Sequence, residues 1–102
     1  MPKRTKKYED GLIQSLHDPK EAAAYLNAHL DEDDSEDVFL LALRDVAVAH
    51  GVSEIAEHAS LGRESLYKTL SKDGNPKLST LRSLLKAVGL KISIESEKKQ
   101  AS

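Results

Sequence analysis

The sequence predicts an all-α single domain of five or six helices that ends in one short β-strand. Three observations carry this. Residues 52–70, VSEIAEHASLGRESLYKTL, read as two short helical patterns broken by a tight Ser-Leu-Gly corner. Further on, Leu81, Leu84, Leu85 and Val88 keep the i, i+3, i+4, i+7 spacing of a helix with one buried face. Leu90, Ile92 and Ile94 then alternate with Lys91 and Ser93, the period-two pattern of a half-buried strand.

Residues 1–8 are charged and aperiodic and read as a flexible basic arm. Leu12, Ile13 and Leu16 mark one side of a short helical segment. The next helix has a start signal, with Asp18 as N-cap, Pro19 at the first helical position and Glu21 in the capping-box place. Its apolar set is Ala22, Ala23, Tyr25, Leu26 and Leu30. The run LDEDDSED reads as an acidic loop, with Ser35 as cap of a helix over about residues 36–50. That helix has a broad apolar surface and a narrow polar stripe of Asp37 and Arg44, so it is expected at the centre of the core. Gly51 closes it. Ser53 is expected to cap a helix reaching about Ala59, and a second helix runs from about Arg63 to Ser71. The loop KDGNPK holds two turn signals, Ser79 is expected to cap the last helix, and Gly89 stops it. The tail from residue 96 is expected to be disordered.

A chain of 102 residues fits one small domain that buries about two-thirds of its unfolded surface. Cysteine is absent, which excludes disulfides and thiolate metal sites. No apolar run approaches the roughly 20 residues needed to span a bilayer, and no signal-type stretch follows the basic start. A cytoplasmic protein without membrane contact is expected. The net charge of −2 hides a strong polarity: residues 1–59 carry −7 and residues 60–92 carry +5. Such a chain can offer a basic face to phosphates and an acidic face to another partner.

The two helices around the corner divide into an inner and an outer side. Ile55, Ala56, Leu61, Leu66 and Leu70 face inward, with Ala56 small where the helices cross. Arg63, Glu64, Ser65, Tyr67 and Lys68 are left on the outside. A helix-turn-helix uses this arrangement to present the start of its second helix to a DNA major groove. Arg63 can reach guanine O6 and N7 with a bidentate fork, and Glu64 can accept from cytosine N4. Ser65 can bond bases or phosphates. Tyr67, Lys68 and Lys72 suit phosphates, as do Asn75 and Lys77 in the following loop. The plainer alternative is that all eight are solvated residues of a helical bundle. A lone strand needs a partner, so Leu90, Ile92 and Ile94 are expected to pair with another protomer or a bound protein.

These residues resemble a known family. The stretch from Phe39 to Ile94, above all RESLYKTLS, GNPKLSTL and AVGLKISI, is similar to the Cro/C1-type (XRE, lambda-repressor-like) helix-turn-helix antitoxins. More narrowly it is similar to the HigA-like addiction-module antidotes that partner RelE/ParE-type toxins. The resemblance divides the chain into a basic arm (1–8), a helical extension with an acidic loop (9–37), a helix-turn-helix domain (38–95) and a tail (96–102). It implies an antitoxin of a type II module that neutralises its toxin and represses its own operon, as a homodimer on operator DNA. Toxins of that type are basic, which makes Asp31, Glu32, Asp33, Asp34, Glu36 and Asp37 a candidate counter-surface. One departure stands out: Ser60 stands where the general motif has its corner glycine, and Gly62 follows two positions later.

Two rival readings stay open: a phage-type or stand-alone repressor with no toxin, and a protein-binding module whose helix-turn-helix is vestigial. Neither the four histidines nor the carboxylates show metal-ligand spacing, and no nucleophile elbow, P-loop or catalytic carboxylate pair is present. No cofactor and no enzymatic activity are expected.

Overall fold

The computed structural model describes Gly11, residues 14–31 and residues 35–97. Five helices have complete bounds: α1 (Pro19–Asp31), α2 (Glu36–His50), α3 (Val52–His58), α4 (Arg63–Thr69) and α5 (Leu78–Ala87). Residues 14–16 end a further helical segment, and Leu16 is buried. The basic arm, Leu12, Ile13, Glu32, Asp33, Asp34 and residues 98–102 lie outside the described residues.

α1 starts where its cap residues predict, but by a simpler device than a capping box. The Lys20 N–H donates to Asp18 Oδ1 at 3.2 Å, and the Asp18 carbonyl accepts from Ala22 N–H at 2.9 Å. The Asp18 N–H, which Glu21 would have to reach, donates instead to the Ser15 carbonyl at 3.1 Å. Ala22 and Leu26 carry the buried face, whereas Leu30 is exposed.

α2 is the central helix, with Leu40, Ala42, Leu43, Val46 and Ala47 all buried. α1 packs on it from one side and α3 from another, and α3 in turn holds α4 and α5. Tyr25 pins α1 to α2: its hydroxyl donates to Asp45 Oδ2 at 2.7 Å. Ser35 precedes α2 as expected, yet its hydroxyl donates to the Asp37 carboxylate and its oxygen accepts from no helical N–H.

Gly51 joins α2 to α3 with no linker. Its N–H closes α2 on the Ala47 carbonyl at 2.9 Å, and its own carbonyl opens α3 by accepting from Ile55 N–H at 3.1 Å. A φ of 112° makes this double duty a glycine's task. It also displaces Ser53 from the expected cap position into the first turn of α3. Ser79 is displaced in the same way. The Lys77 carbonyl accepts from Leu81 N–H at 3.0 Å, so α5 begins at Leu78.

α5 ends in a Schellman motif. The Gly89 N–H reaches the Lys86 carbonyl at 3.0 Å and the Leu90 N–H reaches the Leu85 carbonyl at 2.8 Å. The chain then departs from expectation. Residues 90–96 take no regular structure, and no β-strand occurs among the described residues. A strand exists only with a ladder partner, and the described residues offer none. Leu90 packs against the core, while Ile92 and Ile94 are exposed.

Candidate nucleic-acid interface

Four residues, Ala59 to Gly62, separate α3 from α4. They form a second Schellman motif: the Leu61 N–H donates to the Ala56 carbonyl at 2.8 Å and the Ser60 N–H to the Glu57 carbonyl at 3.1 Å. Its left-handed residue is Ser60, at φ 59°. Gly62 takes an ordinary extended conformation (φ −76°, ψ 162°) and opens α4 through its carbonyl, which accepts from Leu66 N–H at 2.9 Å. The Ser60/Gly62 departure from the general motif therefore leaves the corner intact, with serine in the glycine's conformation.

The corner is held from beneath. Ile55, Ala56, Leu66 and Leu70 are buried, and Ala59 and Leu61 pack half-buried against the same core. With Leu66 and Leu70 turned inward, Arg63, Glu64, Ser65, Tyr67 and Lys68 are all exposed. The helix ends at Thr69, two residues earlier than predicted, because the Ser71 hydroxyl takes the Lys68 carbonyl at 2.7 Å. The loop then folds tightly back. The Asp73 N–H donates to Ser71 Oγ at 3.4 Å and the Gly74 N–H to the Ser71 carbonyl at 2.9 Å. A Cβ on Gly74 would collide with the Thr69 carbonyl oxygen, so only glycine allows this approach. Lys72, Asn75 and Lys77 stand exposed on this loop.

All eight residues singled out in the sequence are thus exposed, five on α4 and three in the loop that follows it. They comprise four cations with Glu64 among them, and Asp73 is the one further carboxylate between residues 60 and 77. α4 is seven residues long, and a helix with its side chains is about 10–12 Å across, which a major groove about 12 Å wide admits. No group of His, Asp or Glu among the described residues is arranged to hold a metal ion.

The sequence is also matched elsewhere. Residues 6–96 match the family described as "Probable addiction module antidote protein". The chain belongs to this family. An uncharacterized protein of Haemophilus influenzae (strain KW20 / Rd) is 38% identical over 87 residues, covering 85% of this chain and 89% of that protein. No solved structure matches the chain. Membership in the antidote family points to a non-enzymatic regulatory protein with a toxin partner of some kind. No helix among the described residues is long and apolar enough to cross a membrane.

Two features of the antidote fold are not legible in the sequence. The rings of His17 and His50 stack at 4.9 Å with 10° between their planes. Burial lowers the His50 pKa below its ordinary value, the nearby His17 lowers it further, and Glu54 opposes both. These histidines lie 33 positions apart, so no local spacing could announce the pair. The Tyr25–Asp45 bond is equally non-local, joining residues 20 positions apart.

Proposed function

We propose that this antidote is a DNA-binding antitoxin of a type II module, HigA-like within the Cro/C1-type helix-turn-helix proteins. In this reading it neutralises a RelE/ParE-like toxin in the cytoplasm and represses its own operon as a homodimer. The observation that carries the DNA half is the α3–corner–α4 pair, whose buried face of Ile55, Ala56, Leu66 and Leu70 leaves Arg63 exposed in the first turn of α4. Arg63 and Glu64 then read base edges and Ser65 reads a base or phosphate. Tyr67, Lys68, Lys72, Asn75 and Lys77 bind phosphates and fix the register. Family membership supports the toxin half. Of the acidic counter-surface, Glu36 is exposed and Asp37 half-buried at the start of α2, where a basic toxin can meet them. A stand-alone repressor would use the same helices, and no separate observation favours it.

Binding of the wild-type chain to its own promoter, followed by mobility shift across a salt series, tests this reading. Arg63→Ala is expected to cost about 1–3 kcal/mol and relax base preference at one position. Lys68→Ala is expected to weaken all sequences alike and reduce the salt slope by about one. Absence of any salt-dependent, sequence-specific shift by the wild type rejects the DNA half. Co-expression with the neighbouring reading frame tests the toxin half through growth rescue and co-purification.

A further inference from the structure

The central helix carries an apolar pair that the fold does not use. Asp37, Leu41, Arg44 and Val48 recur at i, i+4, i+7 and i+11 on α2, so they share one stripe about 60° wide. The buried Leu43 and Val46 lie on the other side of the helix. Leu41 is half-buried and Val48 is 36% exposed, and neither is among the side chains packed against the core. They stand seven residues apart, about 10 Å along the axis. α1 borders the stripe on one flank, where Tyr25 donates to Asp45. At the Val48 end α3 follows, and its first-turn Glu54 acts on His50, two residues beyond Val48. A helix that is apolar all round is one that is covered all round. α2 has apolar residues on both sides, and the core covers one of them.

Charge decides what can cover the other. α2 and α3 together hold five carboxylates, Glu36, Asp37, Asp45, Glu54 and Glu57, with Arg44 as their one Lys or Arg. Glu36, Glu54 and Glu57 are exposed and Asp37 is half-buried, so carboxylates stand at both ends of the Leu41–Val48 pair. The phosphates of a nucleic acid would be repelled here. A second copy laid on the same stripe would set carboxylates against carboxylates in either direction, a like-charge contact that opposes binding. A basic protein surface with an apolar centre fits: its cations meet the carboxylates and its apolar side chains cover Leu41 and Val48.

We propose that this outer stripe of α2, with Leu41 and Val48 at its centre and Asp37 and Glu54 at its ends, is the docking surface for a basic protein partner, the toxin of this antidote. The inference rests on the toxin half of the proposed function and adds the surface that grips. No residue assigned to DNA belongs to the stripe, so both partners can be held at once.

Thiol labelling and affinity measurements on the full chain test it, with the purified product of the neighbouring reading frame as probe. The chain has no cysteine, so Val48→Cys introduces its single thiol. That thiol is expected to react with a maleimide in the free chain and at least tenfold more slowly in the complex, while promoter DNA leaves the rate unchanged. Leu41→Glu and Val48→Glu are each expected to weaken probe binding at least tenfold and to keep the helical circular dichroism and promoter shift of the wild type. An Asp37→Asn/Glu54→Gln chain, which keeps side-chain shape, is expected to bind several-fold more weakly at low salt and to lose part of the salt dependence. Unchanged binding by both Glu variants, or equal labelling with and without the probe, overturns the proposal. So does a thiol already protected in the free chain: protection that grows with concentration means that a second copy covers the stripe, and protection independent of concentration means that the chain's own N-terminal residues do. Failure of the toxin reading is seen separately, as a wild type that neither rescues growth nor co-purifies with the probe. A wild type that does both while the variants do so equally well sinks the surface alone.

Discussion

Ser60 shows how a serine can hold a turn that is ordinarily left to glycine. Its φ of 59° is reached by glycine without strain, whereas a Cβ there meets the following carbonyl at a cost of about 1–2 kcal/mol. Glycine loses part of that advantage to the extra freedom of its unfolded chain. Ser60→Gly is therefore expected to raise stability by about 0.5–1 kcal/mol, seen as a higher urea midpoint at constant slope. Gly62, the glycine visible in the motif, has an ordinary backbone, and a Cβ added to it would meet nothing within 4 Å. Gly62→Ala is expected to be neutral or stabilising by up to about 1 kcal/mol. A destabilised Ser60→Gly together with a strongly destabilised Gly62→Ala would mean that the corner is built the other way round.

At the scale of elements, five helices are legible because apolar spacing and turn residues repeat within a few positions. The inner and outer sides of α3 and α4 follow from the same local pattern, and so does the candidate interface. Helix starts are less legible. Ser53 and Ser79 have the chemistry of caps, but Gly51 and Lys77 take those places because backbone carbonyls, invisible in sequence, start the helices earlier. The expected strand at Leu90, Ile92 and Ile94 does not form for a related reason, since alternation describes a chain's faces and cannot supply a ladder. What binds one element to another is least legible. The Tyr25 hydroxyl on Asp45 is half-buried and accepted by a carboxylate, so it should be worth about 1–2 kcal/mol. Tyr25→Phe is expected to lose that amount and to speed amide exchange in α1 more than in α5. Equal protection changes in both helices would show that the bond does not specifically hold α1.

At the scale of the molecule, the His17–His50 stack joins the segment before α1 to the end of α2, beside the glycine that starts α3. The titratable groups that act on His50 are His17 from that segment and Glu54 from α3. The His50 Nε2 is buried with no hydrogen-bond partner, so a proton there would be poorly solvated. The sign follows from linkage. The folded pKa of His50 lies below the ordinary 6.5, because burial and then His17 outweigh Glu54. Below about pH 6.5 the unfolded chain therefore binds more protons than the folded one, and stability falls as the solution is acidified. The loss begins near the unfolded pKa and levels off below the folded one. His50→Phe keeps a flat ring against His17 and removes the proton site. Urea midpoints taken between about pH 7.5 and 5.5 are expected to fall for the wild type and to fall clearly less for His50→Phe. Parallel pH profiles for the two proteins would rule out His50 as the group that makes this antidote's stability depend on pH.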